Sequence, residues 1–296
     1  MLDSFDDDFD LQALRSLLRM PVNELDPTDF EEDIALEQVK QDTRVWRDRN
    51  GRPVAFALID PGNNLCFSWE QASHTAELEV QIVDWGLSCM RRRNHESGET
   101  ATLDASCHPE NKLRLSFLER HGFRKEAIRT LQYERDLLEA IPESTLPAGF
   151  ALRTVKGEEQ ADQLAALHRA AFGTSMLTHE YRLAMMRVPR YDPSLDLYIE
   201  SPDGEPVAFC VCSIEEEAGP LGGKVGYTDP IGVHHGFQGR GLGKAVLLAG
   251  LKILKDRGID RAKLGTSSEN ISMQRLAESA GFRIVSEKVW FSKPVE

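Results

Sequence analysis

The sequence predicts a mixed α/β fold made of two tandem copies of one domain. Two segments of the first half recur in the second: DRNGRPVAFALID, around Phe56, matches SPDGEPVAFCVCSI, around Phe209, and ENKLRLSFLERHGFRKE, from Glu110, matches ENISMQRLAESAGFRIV, from Glu269. The offsets, 209 − 56 = 153 and 269 − 110 = 159, agree within six residues and preserve the order of the segments. Because this period is far longer than that of solenoid repeats, it indicates duplication of a whole domain.

The boundary between the two copies is predicted near residue 145. The segment IPESTLPAG, residues 141–149, places two prolines and a glycine between apolar runs, a composition typical of linkers. The chain of 296 residues then divides into domains of residues 1–145 and 146–296, each of ordinary domain size.

In the second copy, β-type runs alternate with segments of helical periodicity. The turn SPDG, residues 201–204, predicts an antiparallel hairpin early in the domain. The predicted strands are 150–155, 195–199, 206–214, 226–233, 261–266 and 282–291, and the predicted helices are 158–172, 241–257 and 270–280. Strands separated by helices predict a mixed sheet covered by helices.

The composition narrows the possible classes of function. A net charge of −13 argues against nucleic acid as the main partner, because phosphate binding needs a basic face. No run approaches the roughly 20 apolar residues of a membrane span, and the N-terminus MLDSFDDDFD is acidic where a secretory signal is basic. The five cysteines lack zinc-type spacing, so no metal is expected. We therefore expect a cytoplasmic protein with neither nucleic-acid nor membrane partners.

A glycine-rich turn in the second copy carries the strongest functional signal. It follows a predicted strand that ends at Val233 and leads into a predicted helix. Backbone N–H groups at such a turn, and in the first turn of the helix, lack intrahelical partners and form an anion site. The residues assigned to this site are Gln238, Gly239, Arg240, Gly241, Leu242, Gly243 and Lys244. Ala245 breaks both the Walker A and the dinucleotide-binding patterns.

The QGRGLG turn resembles the Gln/Arg-x-x-Gly-x-Gly/Ala signature of the GNAT acetyltransferase superfamily. The resemblance covers residues 150–296 and implies that the turn holds the pyrophosphate of acetyl-coenzyme A. It also implies that the backbone of Ile231 and Val233 pairs with the pantetheine arm and that Asn270 opens the next family segment. Each domain is then expected to be a mixed, mostly antiparallel twisted sheet with a splayed central strand pair. The tandem layout resembles the mycothiol synthase type of bacterial acetyltransferase.

The first copy departs from this pattern where the phosphate-binding turn is expected. The stretch SWEQASHTAELEVQIVDWGLSCMRRR keeps a helical pattern but has no QxxGxG turn, and Glu77 and Glu79 lie at the start of the helix. Carboxylates at this position compete with a phosphate for the positive end of the helix dipole. We expect the first copy to keep the fold and to have lost this cofactor site.

The resemblance also implies where the chemistry takes place. In the family, the backbone N–H at the position of Val233 bonds the thioester carbonyl, an oxyanion-type interaction. Asp229 lies four residues earlier and is the candidate general base; the alternative is a strand-end turn residue before Pro230.

The general acid and the role of the nearby histidines stay open in the sequence. Many members of the family carry a tyrosine four residues before the glycine of the second Gly-Phe pair, but this chain has Ala277 there. Tyr227 is the candidate substitute, and water is the alternative. His234 is a further titratable candidate, although exposed loop histidines often have no catalytic role.

These observations predict an acetyl-CoA-dependent N-acetyltransferase that acts from its C-terminal domain on a primary amine. The acceptor is a small molecule or peptide that the sequence does not identify, and the expected assembly is a monomer or homodimer. The alternative is a non-catalytic module that binds acyl-CoA as a sensor or scaffold, and the missing tyrosine and the degenerate first copy keep this alternative open.

Overall fold

The computed structural model describes residues 2–4, 7–143, 145–217 and 223–296. The chain forms two compact units: unit 1 comprises Met1–Arg129 and Glu287–Glu296, and unit 2 comprises Thr130–Ser286. These units do not follow the sequence boundary near residue 145. The strands that follow the two Gly-Phe pairs, Arg124–Asp136 and Arg283–Lys293, each begin in one unit and end in the other. The boundary near residue 145 therefore stays a prediction about where the duplicated sequence segments meet.

Unit 1 contains a four-stranded antiparallel sheet, ordered β1-β2-β3-β4, and a separate strand pair. Its strands are β1 (Leu2–Ser4), β2 (Thr43–Arg47), β3 (Pro53–Ile59), β4 (Leu65–Trp69) and β5 (Leu103–Cys107), and its helices are α1 (Asp7–Leu17), α2 (Pro27–Ile34), α3 (Glu37–Gln41), α4 (Ala76–Ser97) and α5 (Lys112–Arg120). Strand β5 pairs with the C-terminal part of β14 (Arg283–Lys293). All seven residues of β3 are buried, which places this strand at the centre of the core.

Strands β4 and β5 of unit 1 are splayed. Among the described residues they are joined by a single parallel bridge, between Asn64 and Asp104, just before β4 begins. Helix α4 follows β4, begins with Thr75 as its cap and ends at Gly98, whose φ of 73° is the left-handed conformation that favours glycine. The first copy therefore has the strand, helix and strand order that the repeat predicts.

In the residues that the structure describes, unit 2 contains two sheets and four α-helices. Its elements are the C-terminal part of β6 (Arg124–Asp136), β7 (Ala151–Thr154), α6 (Ala161–Phe172), α7 (His179–Arg187), β8 (Asp196–Glu200), β9 (Pro206–Val211), β10 (Ser213–Glu217), β11 (Gly223–Tyr227), β12 (Ile231–Val233), α8 (Leu242–Asp256), β13 (Arg261–Ser267) and α9 (Ile271–Ser279). One sheet has the antiparallel order β12-β9-β8-β7, and the other runs β10-β11-β13-β6. Only the pairing of β11 with β13 is parallel within the described part of this unit.

The strand expected over residues 226–233 is broken in two. Its first part, β11, pairs with β13, whereas its second part, β12, pairs with β9. Asp229 and Pro230 lie at the break, and proline lacks the N–H that a continuous ladder needs. The break opens a cleft between β12 and β13. The mixed, mostly antiparallel fold with a splayed strand pair is therefore confirmed.

Helix α8 packs closely against β9 at Gly250. A Cβ atom at this position would lie 2.7 Å from Cys212 Sγ and 3.3 Å from Cys210 Sγ, so glycine permits the approach. Both cysteines are buried, as expected for small apolar residues. In the described part of the chain, we find no helix with the length and apolar character needed to cross a membrane.

Candidate functional site

One wall of the unit 2 cleft is the backbone of β12. The His234 N–H donates to Val207 O at 2.9 Å, and the Val211 N–H donates to Pro230 O at 3.0 Å. Residues 230 and 234 therefore face β9. Because backbone groups alternate along an antiparallel strand, the N–H and C=O groups of Ile231 and Val233 point away from β9 and into the cleft.

The opposite wall is β13, and Asp229 joins the two walls at the narrow end. The Thr228 N–H donates to Lys263 O at 3.0 Å, and the Gly265 N–H donates to Asp229 Oδ2 at 2.9 Å. Beyond Gly265 the two strands separate. The structure therefore brings Asp229 to the apex of the cleft, and Tyr227 precedes it on β11, opposite Lys263.

The glycine-rich turn lies at the end of β12 and leads into α8. Gly239 and Gly241 have φ values of 75° and 80°, a conformation that other residues rarely adopt. No side chain caps the start of α8. Within the described residues, the backbone N–H groups of 238–244 have no hydrogen-bond acceptor. Seven adjacent donors at the positive end of a helix suit an anion, and binding at these residues stays a prediction.

Two cations flank this turn without a carboxylate partner. Arg240 donates to Gly236 O at 3.4 Å and lies 4.9 Å from the centre of the Phe237 ring. Neither Arg240 nor Lys244 forms an ion pair with any described residue. In a chain with a net charge of −13, two unpaired cations beside free N–H groups fit a diphosphate.

The other predicted cofactor residues act mainly through packing and backbone geometry. Leu242 is buried in the core, and a Cβ on Gly243 would lie 3.2 Å from Val233 Cγ2, so Gly243 permits α8 to approach β12 closely. The Gln238 side chain donates to Val233 O at 3.4 Å. Asn270 caps α9 by accepting the Met273 N–H at 3.0 Å. The roles of these residues in binding stay predictions.

The two histidines of the loop shape the turn. His234 Nδ1 accepts the Gly236 N–H at 3.1 Å, and its ring stacks on His235 with 4.4 Å between centroids. His235 Nδ1 lies 3.3 Å from Ala170 O on α6. One ring nitrogen of His234 is therefore committed to the local backbone, which favours a positioning role over proton transfer.

Helix α6 borders the cleft, which the sequence pattern alone did not predict. A Cβ on Gly232 would lie 2.8 Å from Ala171 Cβ and 2.7 Å from the Phe209 ring, so the last turn of α6 lies directly against β12. The apolar spacing of α6 predicts only that it packs on the sheet. His168, a polar residue within that apolar stripe, is the one signal that this face differs from an ordinary core.

The corresponding cleft of unit 1 is filled by a side chain. Arg114, buried on α5, donates to Ser106 O on β5 at 2.8 Å and to Leu65 O on β4 at 3.1 Å. Its guanidinium carbon lies 4.1 Å from the centre of the Phe67 ring. Arg114 thus satisfies carbonyl groups from both splayed strands. The offset of 159 residues places Met273, which cannot do this, at the matching position in unit 2.

A carboxylate lies at the start of α4, the position that corresponds to the predicted anion site of unit 2. Glu79 is buried and bonds His74 Nε2 at 2.6 Å, Arg120 Nη2 at 2.6 Å and His121 Nε2 at 3.0 Å. His74 also stacks on Trp69, with 4.9 Å between ring centroids. The position that would receive a phosphate is therefore surrounded by groups already bound to an internal anion. No cluster of His, Cys, Asp and Glu in the described residues suits a metal ion.

Comparison with known proteins agrees with this geometry. Residues 161–282 match the model of the Acetyltransferase (GNAT) family. A mycothiol acetyltransferase of Thermobispora bispora is 30% identical over 165 residues, which cover 54% of this chain and 56% of that protein. This chain thus spans about half the length of that curated relative. A mycothiol acetyltransferase of Segniliparus rotundus is 26% identical over 275 residues, covering 87% of this chain and 98% of the relative.

Among solved structures, a tandem GNAT protein from the clavulanic acid biosynthesis pathway matches the whole fold. The TM-score is 0.64 at 15% identity, and the match covers 100% of this chain and 99% of that protein. At this identity the likeness concerns the fold alone. The predicted resemblance to tandem GNAT proteins is confirmed.

We predict that Glu79 stabilises unit 1 in a pH-dependent way. Burial raises the pKa of the Glu79 carboxyl, but hydrogen bonds from His74, His121 and Arg120 outweigh burial and hold this pKa below its ordinary value. The stabilisation is therefore present above the ordinary pKa of about 4.3 and is lost as the pH falls through the lowered value. Glu79→Gln should lower the free energy of unfolding by about 1–3 kcal/mol at pH 7.

Urea unfolding followed by tryptophan fluorescence measures this difference, since Trp69 stacks on His74 in the same cluster. The gap between the wild type and the variant should narrow as the pH falls from 7 towards 3. A gap that is equal at pH 7 and pH 3 would show that the charge of Glu79 contributes nothing.

Proposed function

We propose that this chain, which belongs to the GNAT acetyltransferase family over residues 161–282, is an acetyl-CoA-dependent N-acetyltransferase that acts through unit 2. The observation that carries the proposal is the group of N–H donors at residues 238–244, which follow the cleft strand β12. In the part of the chain that the structure describes, these donors have no acceptor, and the two flanking cations, Arg240 and Lys244, have no carboxylate partner. This arrangement suits the diphosphate of coenzyme A, and the outward backbone groups of β12 suit its amide-containing arm.

Val233 and Asp229 are the residues proposed to act on the reacting groups. Acetyl-CoA supplies an acyl group activated as a thioester. The Val233 N–H points into the cleft and would hold the carbonyl oxygen, where negative charge develops. Asp229, at the apex, would accept the proton of the attacking amine directly or through a water molecule, or orient that amine.

Asp229 has a structural contact as well, which supports the positioning role. Its Oδ2 accepts the Gly265 N–H and so ties β13 to the point where β12 departs. On α9, Ala277 is fully buried and offers no acid. Because a free thiol has a pKa of about 8.5, the departing thiolate needs little protonation near neutral pH. Tyr227 remains the proposed donor if one is used.

The acceptor is proposed to be a primary amine on a small molecule. The relatives named as mycothiol acetyltransferases make the desacetylated form of mycothiol the first acceptor to test. The alternative function, binding of acyl-CoA without transfer, rests on Ala277, which replaces the tyrosine common in the family. Release of free coenzyme A thiol with a panel of amines separates the two, because a sensor binds the thioester and never consumes it.

Unit 1 is proposed to bind no acetyl-CoA. Arg114 occupies the space between β4 and β5, and Glu79 occupies the anion position at α4. A cofactor would have to displace a buried guanidinium from four carbonyl groups and a carboxylate from three donors. Catalysis is therefore assigned to unit 2.

Replacement of Gly241 by Val should weaken acetyl-CoA binding at least about tenfold while the fold persists. A side chain is disfavoured at a φ of 80°, so the turn would have to change and with it the directions of the N–H donors. Gly258 is a matched control, because it ends the same helix with a φ of 78° and has equally open surroundings. Calorimetry should show normal binding for Gly258→Val. Normal binding by Gly241→Val would remove the turn from the site.

Replacement of Asp229 by Asn should lower the turnover number by about 100- to 10,000-fold if the carboxylate accepts the proton. Asn keeps the volume and can still accept the Gly265 N–H. The acetyl-CoA dissociation constant should change little, because the donor cluster lies beyond Val233. Unchanged turnover would remove Asp229 from the mechanism. A parallel loss of turnover and binding would assign it a role in strand geometry instead.

A further inference from the structure

The last turn of α6 lies on the opposite face of β12 from α8. Val233 packs against Gly243 of α8, at 3.2 Å from the position of its missing Cβ, whereas Gly232 faces Ala171 of α6. Neighbouring residues of a strand point to opposite faces, so the two helices cover different sides. If the donor cluster of α8 holds the phosphates, an acceptor amine reaches the cleft from the side of α6.

This turn of α6 presents a histidine and an exposed aromatic ring. His168 stacks on Phe172, with ring centroids 4.5 Å apart, and lies 5.3 Å from the ring of Phe209. Phe172 is 49% exposed, and its ring centroid lies 6.2 Å from that of Phe209 on β9. His168 Nδ1 is buried and has no hydrogen-bond partner among the described residues. Nε2 also lacks such a partner there, but it is not buried. Nε2 therefore lies on the accessible edge of the ring.

The surroundings of His168 keep the ring neutral and set its tautomer. Burial lowers the pKa of His168 to about 4, and the nearby guanidinium groups of Arg182 and Arg169 add to this effect. Arg182 pairs with the buried carboxylate of Asp196, and Arg169 donates to Leu177 O at 2.7 Å. A protonated Nδ1 would be a buried N–H without an acceptor, which is unfavourable. The tautomer with the proton on Nε2 is therefore favoured.

We propose that His168 and Phe172 bind the acceptor, with Nε2–H donating to an acceptor oxygen and the phenyl ring packing against an apolar ring face. A hydroxylated ring that carries a single primary amine fits both groups, because it offers C–H faces and hydroxyl oxygens. The guanidinium of Arg169, which bonds a neutral carbonyl and not a carboxylate, disfavours a second cationic centre, which argues against linear polyamines. This inference rests on the proposed function and names its acceptor class.

The test compares glucosamine with spermidine as acceptors for the full chain, by release of free coenzyme A thiol. The wild type should favour glucosamine at least about tenfold in kcat/KM. His168→Leu should raise the KM for glucosamine about tenfold with little change in kcat, because a donor to the acceptor is lost. His168→Gln retains an N–H donor and should recover much of the affinity. The acetyl-CoA dissociation constant should be unchanged in both variants.

Phe172→Ala should raise the KM for glucosamine similarly, whereas Phe172→Tyr should preserve it. Ile284→Ala is the matched control, since Ile284 is 53% exposed on another element of unit 2. A higher kcat/KM for spermidine than for glucosamine would overturn the acceptor class and leave the proposed function standing. The same would follow if the variants lost kcat/KM equally for both acceptors. Transfer to neither amine would overturn the acceptor class, and acetyl-CoA binding without transfer to any amine of the panel would overturn the proposed function as well.

Discussion

The separation of β12 from β13 is the constraint on which the rest of the site depends. Where β11 and β13 are paired, their backbone groups form hydrogen bonds with each other. Beyond Thr228 the chain continues as β12, which pairs with β9 and not with β13. Backbone groups that face a gap need water, a ligand or a side chain. In unit 2, Asp229 satisfies one such N–H at the apex, and the groups beyond it line an open cleft that ends at the donors of α8.

The two copies meet the same constraint in different ways. Unit 1 also separates its strands, but Arg114 bridges the carbonyl groups of β4 and β5, and Glu79 supplies an internal anion at the helix start. Unit 2 has Met273 in place of the arginine and a glycine turn in place of the carboxylate. A few side chains thus distinguish the separated strands that Arg114 bridges from those that lack such a bridge among the described residues, and the proposed cofactor site lies between the latter. The duplicated fold accommodates both, because the strand and helix order is the same.

The sequence predicted those features that follow from local patterns. The repeat, the mixed sheet and the turn from Gln238 to Gly243 are readable because glycine spacing and apolar periodicity report local backbone geometry. The break at residues 228–230 was only hinted at by Pro230, since strand pairing depends on distant residues. The exchange of half-strands and the bridging by Arg114 were not predictable for the same reason. A binding role for His168 was not predictable, because its spacing on α6 matches that of core residues.

The number of acetyl-CoA molecules bound per chain tests the central claim most directly. The claim is that one cleft is open and the other is occupied by residues of its own unit. Isothermal titration calorimetry of the full chain with acetyl-CoA measures this number without requiring the acceptor. The account predicts one site per chain. Two equivalent sites per chain would contradict it, because the cleft bridged by Arg114 would then bind the cofactor as well.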